Sequence, residues 1–199
     1  MEESKRKFIV NEALSYFLKY GVKSFTMDDI AEKLCVSKKT LYALFTNKET
    51  LLFETVDELW KNFLVEVQVI NEVEELNPLQ KIIKIYTFSI RTIKSIDPVF
   101  IQSLQKYQNK VMKSFLSNRE HFSKGIIKPL LIEAQEKGFI EANLDIDFFI
   151  EVNFENVDKR IWYEKIISQH SETEIVNYLI TYRLKGIATN PNLVLLTTF

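Results

Sequence analysis

Glycine and proline are scarce in this chain, four of each in 199 residues. The scarcity leaves no Gly/Ser-rich linker between its halves and no glycine-rich loop to cradle a phosphate. A single cysteine excludes an internal disulfide framework and suits a reducing compartment. The two histidines, His121 and His170, lie far apart with no carboxylate or thiol cluster at ligand spacing, so no metal site is expected. No apolar run is long enough to span a membrane, and the charged N-terminus lacks the apolar core of a signal peptide, so the expected location is the cytoplasm. A formal net charge of −1 argues against indiscriminate coating of nucleic acid. There is no Gly-x-Ser-x-Gly elbow and no locally supported Cys/His or His/Asp pair, so neither an enzyme activity nor a cofactor is expected.

What is present reads as helix. Val10, Ala13, Leu14, Phe17 and Leu18 recur at helical spacing, and Gly21 supplies a left-handed stop. Thr26 is an N-cap with Asp29 in capping-box position, and Phe25 with Ile30 forms a hydrophobic staple. The same grammar repeats at Ser37, flanked by Val36 and Leu41, so only one short helix fits between the two starts. Met27, Ile30, Ala31 and Leu34 form the buried face of the first short helix, and Leu41, Leu44 and Phe45 that of the second. The second is left with Lys38, Lys39, Thr40, Tyr42 and Ala43 facing outward. The lysine pair alone reads as an ordinary solvated face. Together with the doubled cap, the short turn and the outward tyrosine, it reads as a recognition helix for the DNA major groove.

The helix that follows is capped by Thr46 or Asn47, and carries Leu52, Val56, Leu59, Trp60, Phe63, Leu64 and Val67 on one stripe. It continues unbroken to the acidic stretch around Glu72–Glu75. Residues 1 to 50 carry net +2 and the remainder net −3, a weakly basic head on an acidic body. Asn77-Pro78 opens a helix with Leu79, Ile82, Ile83, Tyr86 and Ile90 inward, and Asp97-Pro98 opens another. A longer tract holds Met112, Phe115, Leu116, Phe122, Ile126 and Ile127, with a kink or break expected at Pro129 and an end at Gly138. Two final helices are expected near Asp147–Ser168 and Glu172–Ile187, before an apolar tail from Leu193 to Phe199. The fold class is all-α, with about nine helices: an N-terminal three-helix helix-turn-helix domain and a C-terminal helical domain.

Residues 26 to 51 resemble the DNA-binding domain of the TetR family of bacterial transcription regulators. The family pattern Thr-x-x-x-Ile-Ala, Val-Ser, Thr-Leu-Tyr-x-x-Phe, Lys-Glu-x-Leu is met here by Thr26, Ile30-Ala31, Val36-Ser37, Thr40-Leu41-Tyr42, Phe45 and Lys48-Glu49-x-Leu51. The head that carries the motif, residues 1–50, is about a quarter of the chain; the rest is similar only in length and helical character. The resemblance implies that Thr26, Tyr42 and Lys48 hold DNA phosphates, and that Ser37, Lys38, Lys39 and Thr40 lie at phosphate and base-edge contacts. Lys5, Arg6 and Lys7 add backbone affinity or serve only solubility. One departure stands out: Cys35 occupies the turn position that the family usually fills with glycine. If that position needs positive φ, the side chain there costs on the order of 1 kcal/mol, and its expected state is a small half-buried apolar group.

The expected domains are residues 1–50 for DNA and residues 51–199 for effector binding and dimerisation. The last two helices are apolar nearly all round, which demands cover on both sides. The resemblance supplies that cover as a homodimer through those helices, with two recognition helices on palindromic double-stranded operator DNA. Tyr86, Phe88, Phe100, Tyr107, Phe115, Phe122, Phe154 and Trp162 are candidates to line a pocket for a small, largely apolar effector, against the plainer reading of core aromatics. The expected function is therefore a ligand-released repressor. The alternative is a helix-turn-helix adaptor or activator controlled by a protein partner.

Overall fold

The computed structural model describes residues 2–104, 110–154 and 166–195, with the side chains at 101, 102, 110, 112, 115 and 116 left aside. It is predominantly helical over this range, without a strand among the described residues. One isolated antiparallel bridge joins Ile140 to Ala188. The helices are α1 (Glu2–Tyr20), α2 (Met27–Lys33), α3 (Lys38–Leu44), α4 (Lys48–Asn71), α5 (Pro78–Ser95), α6 (Pro98–Leu104) and α7 (Lys110–Phe122). They continue with α8 (Lys128–Glu136), α9 (Ile146–Asn153), α10 (Ile166–Gln169), α11 (Glu172–Val176) and α12 (Tyr182–Ile187). Wide π turns, Ser123–Ile127 and Asn177–Thr181, carry α7 into α8 and α11 into α12. The chain divides into two compact units, Met1–Leu64 with Ile96–Asn118, and Val65–Ser95 with Arg119–Phe199.

The first unit is built on α1, whose Ile9, Val10, Ala13, Leu14 and Phe17 are buried. Ile30 of α2, Leu41 of α3, Phe45 just beyond it, and Leu51, Leu52 and Val56 of α4 complete that core. Each of the larger side chains so buried, Ala13 aside, contributes about 1.5–3 kcal/mol relative to exposure. Helices as short as α2 and α3 are marginal in isolation, so this packing is what holds them. Gly21 ends α1 at φ 77, and a Cβ there would lie 2.5 Å from Val99 Cγ1 of α6. Conformation and close approach thus both require glycine. The Asp97 N–H, leading into α6, donates to the Leu18 carbonyl at 3.2 Å.

The second unit is organised around α5, which buries Leu79, Ile82, Ile83, Ile85, Tyr86, Ser89 and Ile90. That spread exceeds a single stripe because α5 packs against both α8 and α11. Asn77 and Gln80 cap its start reciprocally, each at 3.0 Å. The same two side chains hold the tail, Asn77 Nδ2 on the Leu193 carbonyl at 2.9 Å and Gln80 Nε2 on that of Leu195 at 2.6 Å, and Val194 is buried between. The irregularity expected at Pro129 lies just before it. Proline offers no N–H and crowds the preceding turn, and the helix widens there, with Lys128 N–H reaching back to the Ser123 carbonyl. Gly138 closes α8 at φ 70. Of the helix expected over Asp147–Ser168, the described parts are α9 and α10; residues 155–165 lie outside the described residues. None of the described helices is long and apolar enough to cross a membrane.

Candidate nucleic-acid interface

Local chemistry fixes α2 and α3. Thr26 caps α2: its Oγ1 accepts from the Asp29 N–H at 3.1 Å, and Asp29 Oδ2 accepts from the Thr26 N–H and hydroxyl, both at 2.7 Å. These bonds from Thr26, backbone first, hold the Asp29 carboxyl below its ordinary pKa. Ser37 caps α3 by accepting from the Thr40 N–H at 3.0 Å, and the two hydroxyls lie 2.8 Å apart. Phe25 and Ile30 are both buried, as the staple requires.

The turn between α2 and α3 runs through Cys35 at φ 52, the non-glycine residue with positive φ among those described. The left-handed geometry expected of a glycine position is therefore present with a side chain on it. Cys35 is exposed, which corrects the expectation of a half-buried apolar group. Its neighbours Leu34 and Val36 supply the burial instead, Leu34 fully and Val36 in part.

On α3, Leu41 and Leu44 point inward, while Lys38, Lys39, Tyr42 and Ala43 are exposed and Thr40 is half-buried. Lys38 Nζ pairs with Asp28 Oδ2 of α2 at 2.5 Å, and that bond raises its pKa. The pair is exposed on both sides, so it is a weak tether that a phosphate can displace. Lys48, at the start of α4, donates from Nζ to the Phe25 carbonyl. Partial burial lowers the Lys48 pKa from the ordinary lysine value, with the Asp29 charge opposing. The Phe25–Thr26 peptide group is thus held at both ends, its oxygen by Lys48 of α4 and its N–H by Asp29 of α2.

Arg6 is the residue that sequence reasoning misplaced. Instead of a solvated or phosphate-facing arginine, it lies within the unit: Nε donates to Glu54 Oε2 at 2.8 Å, Nη2 to Glu54 Oε1, and Nη1 to the Leu44 carbonyl at 2.7 Å. Its guanidinium carbon lies 4.6 Å from the centre of the Phe45 ring. No local pattern announces this, because the partners are 38 and 48 residues away.

The pocket candidates separate. Tyr86, Phe122 and Phe154 come together in the second unit: Tyr86 meets Phe122 edge-on with centroids 5.8 Å apart, and Phe154 at 5.4 Å. Phe149, not named from the sequence, extends the cluster at 5.7 Å from Phe154. All four are buried. Phe88 is half-buried on α5, and Phe100 is fully buried in the first unit. Tyr107, Trp162 and the side chain of Phe115 lie outside the described residues. Among the described residues, no group of His, Cys, Asp and Glu is arranged to hold a metal. Exposed apolar side chains on the last helices include Phe148 and Val152 on α9, Tyr178 in the π turn and Tyr182 on α12.

Comparison with known proteins agrees with this geometry. Residues 9–55 match the family model described as bacterial regulatory proteins, tetR family. The chain is 24% identical over 176 residues to the uncharacterized HTH-type transcriptional regulator YvaF of Bacillus subtilis, covering 84% of this chain and 87% of that protein. It is 24% identical over 150 residues to the HTH-type transcriptional repressor KstR2 of Mycobacterium tuberculosis, covering 72% of this chain and 73% of the repressor. The crystal structure of the transcriptional regulator FadR from Bacillus subtilis in complex with stearoyl-CoA is similar in fold, with a TM-score of 0.71 at 18% identity, covering 90% of this chain and 97% of that one.

Proposed function

Because the chain belongs to the TetR family of bacterial transcription regulators, we propose that it represses from a palindromic operator as a homodimer and is released by a small, largely apolar effector. The observation that carries this reading is the outward face of α3, cationic and hydroxylated, on a helix capped and buried from behind. Thr26, Tyr42 and Lys48 are assigned to phosphates, which orient the head, and Ser37, Lys38, Lys39 and Thr40 to phosphates and base edges. Lysine suits guanine O6 and N7, and the Thr40 methyl suits that of thymine. We assign residues 1–50 to the DNA and residues 51–199 to the effector and the partner subunit.

The exposed Phe148, Val152, Tyr178 and Tyr182 support dimerisation through the last helices, since large apolar side chains left in water favour cover by a partner. A two-fold dimer would set its recognition helices about 34–36 Å apart, or a multiple, on a palindrome. The cluster of Tyr86, Phe122 and Phe154 supports an apolar effector, as does the stearoyl-CoA bound by the similar FadR. Helix α4, continuous for 24 residues, is the route by which an effector would move the head. The effector must favour the DNA-free form over the DNA-bound form, or no release follows.

Selection of bound duplexes from random DNA, repeated with stearoyl-CoA and with a cell lipid extract, tests the reading. A palindromic consensus that loses occupancy in a lipid arm is expected. Absence of any consensus sinks the DNA reading. A consensus insensitive to both lipid arms sinks the apolar effector and favours control by a protein partner.

A further inference from the structure

We infer that Arg6 is a positioning residue that ties the C-terminal end of the recognition helix to α4, and that it carries the orientation of α4 to that helix without touching DNA. The inference rests on the assignment of α3 as the recognition helix. Helix α3 has only seven residues, so its direction is set by what holds its two ends. Its N-terminus is held locally by Ser37. At its C-terminus the Phe45 N–H returns to the Leu41 carbonyl, while the Leu44 carbonyl is taken by Arg6 Nη1. A cation at this end also complements the helix dipole.

The geometry is specific to a guanidinium. One planar fork engages both oxygens of Glu54 on α4 and, from its third nitrogen, the Leu44 carbonyl. Its guanidinium carbon lies over the ring of Phe45, the residue that caps α3. Because the donors are fixed in one plane, displacement of Glu54 turns the whole fork and carries the Leu44 carbonyl with it. A lysine has no such plane, and would satisfy one partner at a time. The Glu54 hydrogen bond is also the leading cause of the raised Arg6 pKa. The side chains are partly shielded, 38% and 25% exposed, so this pair is less open to salt screening than a surface ion pair.

Arg6 is a cation near the DNA-binding end of the sequence, so the rival role is a phosphate contact. The salt dependence of binding separates the two. Loss of a phosphate contact lowers the slope of log K against log salt by about 0.9, whereas loss of a positioning contact weakens binding at unchanged slope. The experiment uses the full-length protein and a duplex carrying its selected palindrome, with Arg6→Gln, Arg6→Lys, Glu54→Gln and the double variant Arg6→Gln/Glu54→Gln. Titrations run at several salt concentrations and well below the melting temperature of each variant.

All three single variants are expected to bind the operator about tenfold more weakly, the usual scale for a lost charge-assisted hydrogen bond. The salt slope should stay at the wild-type value, and the double variant should be no weaker than the weaker single one, because the two residues act as one unit. Full affinity in Arg6→Lys with a reduced slope in Arg6→Gln overturns the inference in favour of a phosphate contact. Unchanged affinity in Glu54→Gln also overturns it. Glu54→Gln removes no cation and keeps the side-chain volume, so it decides the matter even if an Arg6 variant folds poorly. Failure of the wild-type protein to select any sequence would instead strike the DNA assignment itself.

Discussion

At the scale of single residues, the head is governed by polar groups that already have partners. Lys48 offers three N–H donors and uses one on the Phe25 carbonyl, and its proposed role assigns the other two to a phosphate at the start of α4. The N-terminus of α4, where Asn47 Oδ1 already takes the Thr50 N–H at 2.9 Å, would favour an anion there through its dipole. Lys48→Ala is therefore expected to weaken binding to all DNA sequences alike and to lower the salt slope by about 1 unit, measured by titration across salt concentrations. A loss confined to one operator sequence would show that Lys48 reads a base. Cys35 makes the opposite case, a side chain the backbone would be better without. At φ 52 its Cβ crowds the following carbonyl, and the exposed thiol recovers little by burial. Cys35→Gly should stabilise the protein by about 0.5 kcal/mol after the entropy of glycine is deducted, and raise the melting temperature by about one to two degrees in calorimetry. A fall in melting temperature would mean that contacts of the Cys35 side chain outweigh the strain.

At the scale of elements, reciprocal caps closed by a carboxylate define where two helices begin. Thr26 with Asp29 opens α2, and Ser171 with Glu174 opens α11. In each box the cap residue donates to the carboxylate, chiefly through its backbone N–H, and lowers its pKa below the ordinary 3.8 for Asp29 and 4.5 for Glu174. A carboxyl with a depressed folded pKa adds stability above its ordinary value and loses it as the pH falls through the folded one. Acidification through and below that range should therefore lower the melting temperature. In Asp29→Asn/Glu174→Gln the protein should start lower at neutral pH and decline less steeply with acid. Equal declines in the two proteins would remove the boxes from the acid response. Caps are also why so much was legible in advance. Thr26, Ser37, Asn77 and Asp97 act on neighbours two or three residues away, so the starts of α2, α3, α5 and α6 are written locally. Arg6 escaped that reading because its partners are remote in the chain, and only the packing of α1 brings them near. The aromatic cluster was half legible: spacing put Tyr86 inward on α5, but nothing local showed that Phe122 and Phe154, and not Phe100, would meet it.

At the scale of the molecule, the proposed dimer rests on the exposed apolar side chains of the last helices. Tyr178 is 71% exposed and Phe148 63%, so changing either removes little packing within one chain. A charge at these positions should therefore leave the folded subunit nearly intact, as surface substitutions usually do, within about 0.5 kcal/mol. In a dimer sealed by this face the same charge would be buried without a partner, and association would fail. Phe148→Glu/Tyr178→Glu is accordingly expected to sediment as a monomer with a helical circular dichroism spectrum like that of the wild type. Its DNA binding should change in kind as well as strength. A dimer engages the second half-site at the effective concentration set by the first, and a monomer loses that advantage, commonly a factor of 10² or more. The variant should thus bind a single half-site as well as the wild type does, and gain almost nothing from a full palindrome. A variant that sediments as a dimer would move the interface to another face. One that is monomeric yet keeps full affinity for the palindrome would uncouple dimerisation from operator recognition.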